Sequence, residues 1–93
     1  MPTFPTIHLN GSDGKSLLAG YEAAVRAVHA AVEALAETAP NARDYYVQGP
    51  EVAYAAQSEH GERVKRLVAV ATELETLYWN VSEQVEARAS RVR

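Results

Sequence analysis

The sequence predicts an all-α protein: an antiparallel hairpin of two long helices with an extended N-terminal arm, completed as an oligomeric helical bundle. Three observations predict it. Apolar residues recur at alternating spacings of three and four through two long stretches, which is the period of one helix face. Pro40 and Asn41 end the first stretch, and Gly49 and Pro50 open the second. The chain has 93 residues, close to the size at which one hydrophobic core is marginal, so its apolar faces call for a partner surface.

Residues 1–11 read as the arm, with two prolines, no helical period, and Ile7 and Leu9 alternating around His8. Asn10-Gly11 ends it. Ser12 is a suitable N-cap and Asp13 suits the positive end of a helix dipole, giving helix 1 over 12–39. Its stripe is Leu18, Tyr21, Val25, Val28, Val32 and Leu35, with Gly20, Ala27 and Ala34 as a small-residue flank and His29 on the polar side. After a connection over 40–49, Pro50 suits the first turn of helix 2, expected over 50–90 with its last residues, from Ala87, fraying. The helix 2 stripe is Val64, Leu67, Ala71, Leu74, Tyr78, Val81 and Val85.

About 25 residues against about 38 makes helices of roughly 38 and 57 Å. A tight fold-back would set Leu35 opposite Ala53 and Leu18 opposite about residue 70, leaving Leu74, Leu77, Tyr78, Val81 and Val85 for another subunit to cover. Whether the helices pair within a chain or swap between chains is open at this stage.

Composition narrows the function classes. With no cysteine there is neither a disulfide framework nor a thiolate zinc site, and no pair of histidines has helical metal spacing. A net charge of −3 with both signs interspersed argues against a nucleic-acid partner. No apolar run approaches membrane-spanning length, and the N-terminus lacks a signal-peptide pattern, so a cytoplasmic protein without a membrane partner is expected. Gly11 and Gly14 before Lys15-Ser16 are too closely spaced for a phosphate-binding loop of a nucleotide hydrolase. At most, Ser12 and Lys15 mark a helix N-terminus able to meet an anion. No nucleophile, base and orienting acid assemble, so neither an enzyme nor a cofactor is expected.

The informative irregularity lies where helix 2 begins. Extending its stripe backward from Val64 gives His60, Gln57 and Ala53, so two polar side chains fall on the face meant for the core. Leaving such groups unsatisfied costs about 1–3 kcal/mol each, so they need partners. Those partners are either the backbone of the connection or a polar ligand beneath Tyr45 and Tyr46, with Tyr54 and Arg63 flanking the same stretch.

His8-Leu9-Asn10-Gly11, Arg43-Asp44-Tyr45-Tyr46 and Glu59-His60, in that order, resemble a family of small helical phage and prophage proteins, and the likeness spans nearly the whole chain. Gly14 and Lys15 depart from it, standing where better helix formers or acids are expected. Similar proteins, among them the Sequestin and Lockin kind, are sponges that sequester nucleotide signals of bacterial immunity. The resemblance implies a phage anti-defence protein in the cytoplasm of an infected bacterial host. Its implied partners are a nucleotide signalling molecule, with an ADP-ribose-derived Thoeris signal favoured over a cyclic dinucleotide, and further copies of itself in an antiparallel dimer or larger homo-oligomer. The ligand-binding set would be Tyr45 and Tyr46 for stacking, Arg43 and Arg63 for phosphate, and His60, Gln57, His8 and Asn10 for hydrogen bonds at a subunit interface. The rival reading is a non-enzymatic scaffold, assembly or protein-interaction factor of a phage.

Overall fold

The computed structural model describes residues 2–92, with side chains through Ala89; the expectations for Met1, Arg93 and the side chains beyond Ala89 lie outside the described residues. The described chain is all-helical apart from its arm and connection. Helix α1 spans Gly14–Ala36 and α2 spans Pro50–Val92, joined through two short 3-10 turns, Ala42–Asp44 and Tyr46–Gln48. The result is a rod of 68 × 21 × 19 Å.

Both boundaries of α1 fall inside the expected 12–39. Asp13, not Ser12, is the N-cap: its backbone is extended, its carbonyl accepts the Leu17 N–H at 3.0 Å, and its Oδ2 accepts the Ser16 hydroxyl at 3.2 Å. At the other end Thr38 donates both its N–H and its hydroxyl to the Leu35 carbonyl, at 2.9 and 2.7 Å. That tightened last turn satisfies the terminal carbonyls, and Pro40 cannot extend it.

The connection is built by local side-chain chemistry. Asn41 Oδ1 accepts the Arg43 N–H at 3.0 Å, an Asx-type turn that opens the first 3-10 turn. Gly49 closes the second at φ 110°, a conformation open to glycine and strained for other residues, and Pro50 then starts α2. α2 runs on past the expected end at 90, so the backbone at Ala87 is still helical.

Residues of α1 in ascending order meet residues of α2 in descending order. Gly14 lies against Val85, Val25 shares a groove with Tyr78 and Trp79, His29 reaches Glu75, and Val32 lines a hollow with Val68 and Ala71. Paired positions therefore sum to about 100, which corrects the tight fold-back. α1 covers the C-terminal half of α2, not its N-terminal half. Val81 is fully buried and Ala71 nearly so, while Leu74, Leu77, Tyr78 and Val85, assigned to another subunit by the sequence reading, are half-buried within the chain.

The physical reason is the length and character of the connection. Thirteen residues link the helices, enough to travel beside the first turns of α2 before entering it. The apolar periodicity itself holds: the α1 stripe from Leu18 to Leu35 is half-buried throughout. His29 is not merely on the polar side, since its Nε2 sits 3.6 Å from Glu75 Oε1 across the seam. Glu62 reaches Lys65 at 3.4 Å, and Glu59 meets Arg63 at 3.9 Å. Such exposed pairs contribute at most a few tenths of a kcal/mol, about 0.2–0.5 each.

Gly14 explains a residue the sequence left anomalous. It is buried, and a Cβ there would meet Val85 Cγ2 at 2.6 Å, so the absence of a side chain lets α1 begin in contact with α2. The arm then lies along the far end of α2. Gln84 holds it: Oε1 accepts the Ile7 N–H at 2.8 Å, and Nε2 donates to the Pro5 carbonyl and to Asn80 Oδ1, both at 2.8 Å. Ile7 is half-buried by this contact while Leu9 is 88% exposed.

Two outcomes follow from these contacts. Gly14→Ala is expected to destabilise the fold by about 1–3 kcal/mol through overpacking, with part of the loss recovered in a Gly14→Ala, Val85→Ala double variant; thermal melts of the three chains measure it. Gln84→Ala should release the arm, seen as faster hydrogen exchange at the Ile7 amide with exchange in the middle of α2 unchanged; equal protection in both chains would show that Gln84 does not hold the arm.

Candidate functional site

The connection folds back over the start of α2 and encloses a cleft of about 210 Å³ lined by Ala42, Tyr46, Pro50, Ala53, Tyr54 and Gln57. Each element contributes through a local cause. The Asn41 turn presents Ala42, the 3-10 turn that follows presents Tyr46, and Pro50, Ala53, Tyr54 and Gln57 recur at helical spacing along one side of α2. Ala53 is buried, and with Ala42 and Pro50 it keeps the cleft free of bulky side chains. Tyr46 and Tyr54, 76% and 70% exposed, stand at its edge. Tyr45, between the two turns, is half-buried; its N–H donates to the Ala42 carbonyl at 3.1 Å and its carbonyl accepts from Gln48 at 2.9 Å.

Of the eight residues singled out by sequence, two line this cleft, Tyr46 and Gln57. Arg43 follows the lining residue Ala42 and is exposed. Tyr45 is structural in its contacts, a half-buried pivot between the turns. Gln57 is exposed, which corrects its placement on the core face; the connection covers α2 here in place of α1, and it covers Ala53 but leaves the next turn open. His60 is half-buried one turn farther along, and Arg63 faces solvent beside Glu59. Among the described residues no buried side-chain polar atom lacks a hydrogen-bond partner, so neither Gln57 nor His60 is an unsatisfied core group.

His8 and Asn10 belong to the other end of the rod. They lie in the arm, which is docked at Gln84 and Arg88, and His8 packs over the Gly11 turn so closely that a Cβ at Gly11 would sit 2.7 Å from its Nε2. From Gln57 to Gln84 is roughly 40 Å at about 1.5 Å per residue, against the roughly 25 Å that a tight hairpin implies. Within one chain the two sets of residues do not meet. At the start of α1 the Asp13 carboxylate accepts the Ser16 hydroxyl and puts a negative charge beside the helix N-terminus, which disfavours an anion there.

Sequence reasoning missed two features. Tyr54 stood only as a flank, although its spacing of three from Gln57 already put both on one side of α2. A second, larger groove of about 380 Å³ runs between the helices, lined by Glu22, Val25, Arg26, Glu75, Tyr78 and Trp79. Trp79 is the sole tryptophan of the chain and 63% exposed, with its ring edge-to-face on Tyr78 at 5.1 Å between centroids. Its position off the apolar stripe was the available signal. Among the described residues no three His, Cys, Asp or Glu side chains gather as metal ligands, and no helix is long and apolar enough to cross a membrane. Comparison with known protein families, characterised proteins and solved structures finds no match to this chain.

Proposed function

We propose that this protein is a homo-oligomeric phage anti-defence protein that binds a nucleotide immune signal and sequesters it without cleaving it, in the cytoplasm of an infected bacterial host. The observation that carries the reading is the pair Tyr46 and Tyr54, largely exposed at the edge of an apolar cleft floored by Ala53. Exposed rings at a small apolar hollow suit a planar base, which stacks and leaves its phosphates in water. Arg43, exposed beside the lining residue Ala42, is the nearest of the proposed phosphate partners along the chain, and Gln57 supplies an amide for the base edge.

Size discriminates between signal classes. A cleft of about 210 Å³ is below the roughly 300–1,000 Å³ of sites that take a whole drug-sized ligand. It accommodates one base and leaves the rest outside. An ADP-ribose-derived signal carries one adenine, whereas a cyclic dinucleotide must place two bases, so the former is favoured. Tyr45 holds the turn beside the cleft, His60 and Arg63 lie farther along α2, where Arg63 stays open to a phosphate, and His8 and Asn10 reach a cleft only from a second chain. The helices act as an antiparallel hairpin whose outer face is left for that second chain.

A second reading, a helical scaffold or protein-interaction factor of a phage, is favoured by the exposure of Phe4 and Leu9, apolar side chains of the arm at the end of the rod away from the cleft.

Calorimetry and thermal shift with a panel of ADP-ribose derivatives and cyclic dinucleotides separate the two. One class is expected to bind at micromolar concentration or tighter and to be recovered intact after denaturation. Tyr46→Ala and Tyr54→Ala should each weaken it about tenfold or more, because base stacking is worth ~1–3 kcal/mol per ring. Their melting temperatures without ligand should stay near that of the parent, since both rings are mostly exposed. No shift with any member of the panel sinks the sponge reading; recovery of a cleaved ligand would make the protein an enzyme.

A further inference from the structure

We propose that a second copy of this chain packs against the side of α2 that carries Gly61, Val68 and Trp79, forming a four-helix dimer. The inference rests on the oligomeric part of the proposed function and not on its ligand.

Area is the first argument. The chain exposes 7058 Å². A compact monomer of 10.1 kDa exposes about 5,300 Å² by the usual scaling of surface with mass. The difference, about 1,800 Å², exceeds the roughly 800 Å² per partner of a standard interface and falls in the obligate-dimer range. Among the described residues only Ala53, Ala71 and Val81 are buried apolar side chains, so the single chain holds little core of its own.

Position is the second. Gly61, Val68 and Trp79 are separated by seven and eleven residues, which brings all three within about 20° of one another around the helix. Val68 and Trp79 are 47% and 63% exposed. α1 borders this side through Val25 and Val32 but leaves both side chains largely open, and neither the connection nor the arm covers them. The connection lies against the first turns of α2, and the arm is held by Gln84, about 140° around the helix from Trp79.

Gly61 stands on this same side. Glycine inside a helix is less stable than alanine, and nothing within the chain requires it at Gly61, where a Cβ would meet no atom within 4 Å, as is also true of Gly20 in α1. Close approach of another backbone accounts for it. The groove alongside also tolerates its own copy. Its carboxylates Glu22 and Glu75 already have basic neighbours, Arg26 at 3.1 Å and His29 at 3.6 Å.

An antiparallel pairing has a consequence for the cleft. Gly61 and Trp79 are equidistant from residue 70, so a two-fold axis there sets the Gln84 level of one copy opposite residue 56 of the other. The arm of each copy is thereby brought to the axial level of its partner's Tyr46 and Tyr54 cleft.

Sedimentation equilibrium and Trp79 fluorescence on the unmodified chain, without ligand, test this. A mass of two chains is expected, with Trp79 emission shifted to the blue and protected from acrylamide as concentration rises. Gly61→Leu, which meets open space within the chain, should keep its helical circular dichroism and weaken self-association roughly tenfold or more. A monomer at high micromolar concentration overturns both this dimer and the oligomeric part of the proposed function. A dimer in which Trp79 stays open to quencher, or which Gly61→Leu leaves unaffected, overturns this surface alone.

Discussion

The contact of Gly14 with Val85 is the constraint on which the rest of the structure depends. A glycine at the first position of α1 allows the helix to begin against α2 near its far end, and every pairing down the seam follows from that start. Had a bulkier residue stood there, α1 would be held away from α2 or displaced along it, and Val81 and Ala71 would not be the centre of the core. The register also fixes where the chain is bare. With α1 used to cover residues from about 64 onward, the first turns of α2 have only the connection for cover.

That arrangement accounts for the cleft. A connection of thirteen residues that must run beside a helix cannot be merely a tight turn, and this one takes its shape from Asn41, the two 3-10 turns and the positive φ of Gly49. Two short turns pack less densely on a helix than another helix does. The gap left over Ala53, edged by Tyr46 and Tyr54, is thus a by-product of the same register that builds the core.

The opposite end shows a different solution to the same problem. There the α1/α2 pair is complete, and the arm adds a third layer through the side chain of Gln84, which satisfies backbone groups of Pro5 and Ile7 that would otherwise remain in water. One glutamine thereby orders a segment with no regular structure of its own. The two irregular segments are consequently far apart in one chain.

Much of the fold was legible in the sequence because it depends on local chemistry. The alternation of three and four along Leu18 to Leu35 and Val64 to Val85 specifies helices and their inner faces, Pro40 and Pro50 specify where they break, and the same periodicity marks Ala53 as covered. Tyr46 drew notice as an aromatic in the connection, and Gln57 as a polar residue on the stripe beside it, although its placement on the core face did not hold. Register was not legible. A heptad-like stripe fits its partner equally well after a shift of seven residues, so periodicity leaves the offset open, and the thirteen-residue connection together with Gly14 meeting Val85 set it. From that non-local contact follow the exposure of Gln57, the distance separating His8 and Asn10 from Tyr46, and the bare flank at Trp79. The sequence by itself determined the helices and their faces; the tertiary structure decided which half of α2 they share, because that is set by steric fit between residues seventy positions apart.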